Sequence, residues 1–373
     1  MSDGESAVRK GALGKMLGLE VVRFACALGV LVWHYQHFYR MVGAPAFERA
    51  AQPLYRMLGI FYEYGQFGVQ IFWGISGFIF FWKYTESVRD GSVDGRRFFW
   101  LRFSRLYPLH FLTLLLVAAM QPMHVALTGE SFVYGGNDLA NLLLQLGMAT
   151  QWLSPADYSF NGPIWSVSAE VLVYAFFFVF VRRFGASAWL IGAVTALSIV
   201  AMLAGVGSPA IACAGFFFAG GASAKAVMRA ADANDLHGPR FVAAAALGTV
   251  LGAAWWLGML GSREAMPLTL MLATPPLLFL AAQDWKLLHR WEATIQSAGN
   301  LTYSSYLCHF PLQLGVAIAV AASGWAVPLA SPLFLAAYLG ATLIIAKLVF
   351  DRFERPAQDL IRTLALRGGP ALA

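Results

Sequence analysis

Apolar residues run through this chain in long blocks separated by short polar connections. The blocks lie near 19–39, 67–82, 103–121, 139–153, 164–181, 187–206, 209–228, 241–260, 266–282, 297–321 and 327–350. A helix needs about 20 apolar residues to cross the hydrocarbon core of a bilayer, where each backbone amide must find its partner inside the helix. The pattern predicts an all-α, polytopic membrane bundle with eleven candidate spans. The fourth is short and polar, with Asp138, Asn141 and Gln145 in or beside it.

Charge decides whether that fourth block crosses, because Lys and Arg concentrate on the cytoplasmic side of membrane proteins. If it does not cross and the N-terminus is inside, twenty of the 26 Lys and Arg residues fall on the cytoplasmic side. Only Arg40, Arg49, Arg56 and Arg263 fall outside, while Arg23 and Lys347 lie within spans. A crossing would invert every later loop and expose Arg182, Arg183, Lys225, Arg229 and the basic tail. The expectation is ten crossings with both termini cytoplasmic, and 139–153 re-entrant or interfacial. Residues 1–18 and 357–373 then form cytoplasmic tails around a membrane domain at 19–356. The stretch 122–162, which has no Lys or Arg and carries Glu130, Asp138 and Asp157, is expected to be the largest outer loop.

Composition agrees: 59% of the 373 residues are hydrophobic and 12% charged, about half the charged share of a soluble domain. A mean hydropathy of +0.62 leaves no segment for a separate soluble domain. The first apolar block follows Arg9, Lys10 and Lys15 without a small-residue cleavage site, which reads as a retained signal anchor. The pI of 9.3 does not imply nucleic acid, since the basic residues flank apolar spans. Cys26, Cys213 and Cys308 lie inside apolar blocks at no metal or disulfide spacing and read as packing residues.

Charged groups at bilayer depth cost about 2.5–3.5 kcal/mol each on insertion scales, so those present are candidates for function. Arg23 and His34 are eleven residues apart in the first span, about three helical turns or 16 Å, which places them on nearly one face. The alternative is an arginine that snorkels to the interface and a hydrogen-bonded core histidine. Arg102 and Arg105 share a helix face at i, i+3 where the third span begins, and planar guanidiniums suit phosphate. Arg96 and Arg97 fit a headgroup anchor. Glu170 lies two turns into its span and His309 near the middle of another, where each acts on a substrate or closes an interhelical hydrogen bond. Ser76 and Gly77 predict close helix approach, and Glu354-Arg355-Pro356 predicts a structural stop to the last helix. A transporter or lipid flippase would use Arg23, His34, Glu170 and His309 as an intramembrane relay.

An ordered set of motifs narrows the choice. It comprises Glu20 three before Arg23, ten residues between Arg23 and His34, Phe72-Trp73-Gly74-Ile75-Ser76-Gly77-Phe78, and Arg102-x-x-Arg105-Leu106-Tyr107-Pro108. Trp165-Ser166-x-Ser168-x-Glu170, Tyr303-Ser304-x-Tyr306-Leu307-x-His309-x-Pro311 and Glu354-Arg355-Pro356 complete it. Over residues 17–356 this set resembles the integral membrane acyltransferase-3 family, which includes O-antigen and exopolysaccharide O-acetylases. Glu20 stands where that family more usually has aspartate, and Phe24 where glycine often follows the arginine. The resemblance implies an O-acyltransferase of the bacterial cytoplasmic (inner) membrane. Its donor would be acetyl-CoA or another acyl-CoA, with no metal, and its acceptor a hydroxyl, with a surface or lipid-linked glycan as partner. With that donor, the charge map makes Arg102 and Arg105 the phosphate-binding pair and His34 the catalytic base or transient acyl carrier. Arg23, Glu170 and His309 complete the expected catalytic set.

Overall fold

The structure is a computed structural model that describes residues 15–152, 158–233 and 235–366. Fifteen α-helices follow one another, with no strand among the described residues. They are α1 (Leu17–His34), α2 (Tyr55–Tyr64), α3 (Gly68–Asp90), α4 (Gly95–Thr128), α5 (Leu139–Leu146), α6 (Ile164–Phe184), α7 (Ala188–Leu203) and α8 (Pro209–Asp232). Then come α9 (His237–Trp256), α10 (Met266–Ala281), α11 (Lys286–His289), α12 (Glu292–Asn300), α13 (Thr302–Ser323), α14 (Pro332–Val349) and α15 (Arg355–Ala365). Each of the ten blocks expected to cross holds a helix. Among the described residues, six helices are long and apolar enough to do so: α1 with its 3-10 extension to Arg40, α4, α6, α8, α13, and α14 running on into α15. Helices α7 and α10 are apolar but shorter, and α3 and α9 fill the remaining two blocks. Among its described residues the fourth block holds one helix, the eight residues of α5, capped by Asp138 accepting from the Asn141 amide at 2.7 Å. About 12 Å of helix is too short to cross.

The described residues form two compact units, one drawn from residues 1–26, 67–93 and 172–299, the other from residues 27–66, 94–171 and 300–373. In the first, α3 packs along α8, which also meets α7 and α10. Lipid tails are as apolar as leucine, so association here depends on close packing more than on removing apolar surface from water. The glycines supply it. A Cβ on Gly77 would run into the Phe217 carbonyl, and one on Gly220 into the Gly74 carbonyl. Gly77 is therefore a close-approach site, as expected. Aromatic rings fill the space beside that seam: Phe80 stacks on Tyr174 at 4.2 Å and meets Phe177 and Phe217 edge-on.

The second unit is built around α4, α13 and α14. Its core gathers Tyr35, Phe38, Tyr62, Phe132, Phe310 and Tyr338. At 34 residues, or about 51 Å, α4 outruns the hydrocarbon core. It carries Arg96, Arg97 and Arg102 ahead of its apolar centre, and it continues to Thr128 where an outer loop was expected from 122. Gly129 ends it in a left-handed conformation, and Gln121 holds the segment that folds back: its amide donates to the Phe132 carbonyl and accepts from the Phe132 N–H, both at 3.0 Å. Asp157 lies outside the described residues.

Two prolines test the helices from within. Pro311 cannot donate to the Leu307 carbonyl one turn earlier. The Asn161 side chain does so instead at 3.1 Å, while also bonding Thr113 at 2.9 Å. Glu354-Arg355-Pro356, expected as a stop, is not one. A π-helical turn at Phe350–Glu354 carries α14 into α15, and Pro356 is the second residue of α15, directly after that change of pitch.

Candidate active site

The centre of the second unit holds three histidines. At Tyr35 the first span tightens from α into 3-10 geometry, in which residues i and i+3 eclipse. His37 therefore stands over His34, with ring centroids 4.9 Å apart. His309 from α13 approaches His34 to 4.6 Å. All three are buried. Among the described residues no group of three His, Cys, Asp or Glu side chains is placed to hold a metal ion.

Hydrogen bonds fix the protons on these rings. His34 Nδ1 lies 2.8 Å from the Val30 carbonyl and His309 Nδ1 lies 2.7 Å from the Tyr306 carbonyl. A carbonyl only accepts, so both Nδ1 atoms carry a proton, and in the neutral ring that burial favours each Nε2 presents a lone pair. His309 Nε2 is buried and has no hydrogen-bond partner among the described residues. Gln313, fully buried one turn beyond His309, links the cluster. Its amide N–H donates to the His34 carbonyl at 2.9 Å and to the Tyr338 hydroxyl at 3.2 Å, which orients the amide. Its oxygen then accepts from His37 Nδ1 at 3.0 Å. His37 consequently has the same tautomer. Phe310 and Tyr134 close over it, at 6.2 and 5.7 Å between rings.

The arginine end of the unit is organised around a carboxylate. Glu354, only 1% exposed, pairs with Arg105 and accepts from Ser304 Oγ at 2.5 Å and Gln358 Nε2 at 3.2 Å. The Arg105 guanidinium also lies 5.6 Å from the centre of the Tyr303 ring. Arg362 Nε donates at 3.1 Å to the Ser104 hydroxyl, which lies between Arg102 and Arg105 on α4. This end is therefore joined to the histidines along α13, from Tyr303 and Ser304 through His309 to Gln313.

The sequence-predicted residues do not all gather. His34 and His309 meet. Arg105 is held by a carboxylate, with Arg102 one turn before it on α4. Glu170, half-buried, follows Ser166 by four residues on α6, and the Ser166 hydroxyl meets that of Tyr306 at 2.8 Å. Arg23, in the other unit, bonds Glu20 on its own helix at 2.9 and 3.1 Å. A Cβ on Gly299 would collide with that same Glu20 carboxylate, which explains a glycine there. Sequence reasoning missed His37, Gln313 and the pairing of Glu354. The signals were present: His37 is three residues after His34, and Gln313 four after His309, each at helix-face spacing.

An all-helical membrane protein with a buried histidine cluster reached along one helix from an arginine end defines a class, and comparison with known proteins identifies it. The profile of the acyltransferase-3 family, described as an acyltransferase domain, matches residues 16–350. The chain belongs to that family. A stretch of 116 residues is 32% identical to acyltransferase MdmB of Streptomyces mycarofaciens, covering 30% of this chain and 27% of that relative. No solved structure matches the chain.

Proposed function

We propose that this protein is a membrane O-acyltransferase of the bacterial cytoplasmic membrane. It moves an acyl group, acetyl in the simplest case, from cytoplasmic acyl-CoA to a hydroxyl of a cell-envelope glycan or related acceptor. The observation that carries the reading is the His34–His309 pair, two buried imidazoles whose Nδ1 atoms are committed to carbonyls and whose Nε2 atoms are bases. Family membership supplies the reaction class.

In this reading Arg102 binds the donor's phosphates at the arginine end, with Arg105 contributing the donors that Glu354 leaves it. The pantetheine arm brings the thioester to His34. His34 Nε2 takes the proton of the acceptor hydroxyl as its oxygen bonds to the thioester carbon. The C–S bond breaks, and the departing thiolate recovers a proton from the imidazolium. General-base catalysis of this kind contributes about 10²- to 10⁴-fold. His309 Nε2 orients the acceptor, and Glu170 completes the catalytic set.

The test is transfer of radiolabelled acetyl from acetyl-CoA by purified protein, followed as label loss from the donor. His34→Ala is expected to abolish it while expression and membrane insertion are retained. Near-normal activity in that variant overturns the mechanism. Surface glycans isolated with and without the protein would differ by one ester.

A further inference from the structure

In the second unit a groove runs between α4, α13 and α14, about 410 Å³ in volume and within the range of small-molecule sites. We propose that it holds one acyl chain of an anionic membrane phospholipid, whose phosphate sits at the arginine end of the unit. None of the three clustered histidines lines it, so the site is separate from the one described above and does not depend on the reaction proposed there.

The wall decides what can enter. Leu112 and Leu116 of α4, Leu312 and Val316 of α13, and Ile345 and Val349 of α14 form most of it, and no lining side chain is aromatic or charged. Thr113 brings a hydroxyl to the wall, but that hydroxyl is already spent. It accepts from the Asn161 side chain at 2.9 Å and donates to the Leu109 carbonyl at 3.0 Å. A sugar, or the amides of a pantetheine arm, would lose water here and find nothing to bond. A hydrocarbon chain has no such loss. Leu112 and Leu116 are exposed, so the groove opens to the bilayer. Gly315 gives it depth: a Cβ there would meet Met120 Cε at 3.5 Å, an ordinary contact, so helix packing does not demand a glycine. Glycine inside a helix is less stable than alanine, and what it leaves here is room.

Length and charge set how the chain lies. From Cys308 to Ala319 the wall runs eleven residues along α13, about 16 Å. That is the depth of one leaflet, half of the roughly 30 Å hydrocarbon core. On α4 the wall begins at Leu109, and Arg105 and Arg102 precede it by four and seven residues, on the same helix face. Arg105 reaches Tyr303 of α13 and Glu354 just beyond α14, so the three helices that form the groove are tied together at this end. Here Arg102, Arg105, Lys347, Arg352 and Arg355 outnumber Asp351, Glu354 and Asp359. A lipid phosphate at this level meets net positive charge, and its chain enters the groove past Leu109 and Val349.

The experiment places the full-length protein in phosphatidylcholine nanodiscs doped with a lipid whose acyl chain carries a diazirine, either phosphatidylglycerol or phosphatidylcholine. After irradiation, labelled residues are mapped by peptide mass spectrometry. Label is expected at the groove positions within 109–120 and 308–319, about fivefold stronger from phosphatidylglycerol, the effect of one basic residue on an anionic lipid. Gly315→Leu fills the groove and is expected to cut that label about tenfold, leaving label on the exposed Leu115 and Ile344 unchanged. Equal label from the two lipids, or equal label on the groove and on Leu115 and Ile344, overturns the proposal, because the lipid is then only annular. A groove label that survives Gly315→Leu, in a variant melting at the wild-type temperature, also overturns it. If Gly315→Leu does not fold, the two-lipid comparison in the wild type decides alone. Label displaced by palmitoyl-CoA but not by excess unlabelled phosphatidylglycerol gives the groove to a donor's acyl chain and overturns the lipid assignment.

Discussion

Arg105 and Glu354 are an ion pair whose two halves differ in exposure, and that difference sets what happens when either is removed. Glu354 is 1% exposed and the Arg105 side chain 30%. Arg105→Ala leaves a carboxylate in the interior with only Ser304 and Gln358 as neutral donors. Breaking a buried pair this way costs about 3–5 kcal/mol. Glu354→Ala leaves a guanidinium that can turn its charge toward water along its own stem, so the cost is lower, about 1–3 kcal/mol. The double variant Arg105→Leu/Glu354→Leu removes both charges and is expected to be more stable than Arg105→Ala alone. Thermal unfolding of the detergent-solubilised protein, read from intrinsic tryptophan fluorescence, orders the three. If Arg105→Ala unfolds at the wild-type temperature, or above Glu354→Ala, the pair does not hold this end of the unit together. Additive losses in the double variant would refute the coupling.

The other predictions concern packing and the donor. Gly77→Ala places a methyl against the Phe217 carbonyl and is expected to cost about 1–3 kcal/mol, with Gly77→Val worse; yield of folded protein and melting temperature report it. Asn161→Leu strands the Leu307 carbonyl that Pro311 leaves open and is expected to cost about 1–3 kcal/mol, whereas Pro311→Ala in the same background restores much of it by closing the backbone bond. Arg102→Lys keeps charge but loses the planar fork, so the KM for acetyl-CoA is expected to rise more than that for acceptor; an unchanged donor KM removes Arg102 from the phosphate site.

Much of the fold was legible because a membrane leaves few choices. Apolar blocks long enough to cross became helices, and the short, polar 139–153 block became the eight residues of α5. The close approach at Gly77 was legible for a related reason, since a small residue in a span has few other uses. That His34 and His309 belong to one catalytic set was expected from motif order alone, and their contact was not, because no local pattern joins residues 275 positions apart. What stayed hidden depended on geometry finer than helical period. His37 joins the site through a 3-10 turn at Tyr35, a change of pitch that the apolar pattern does not encode. Glu354 looked like the end of a helix because Glu-Arg-Pro commonly is one. A π turn lets the chain run on and buries the acid against an arginine 249 residues earlier. Arg23 drew attention as a companion to His34 on one face of the first span, whereas its side chain bonds Glu20, one turn before it.

That 249-residue separation has a consequence for how the protein is made. The ribosome makes Arg105 long before its counter-ion exists, so its guanidinium stays without that carboxylate while 249 further residues are added. Only when the final helix emerges can the charge be neutralised and Ser304 find its acceptor. A nascent chain cut short before Glu354 would hold a complete set of histidines on an unlatched frame, a target for membrane quality-control proteases.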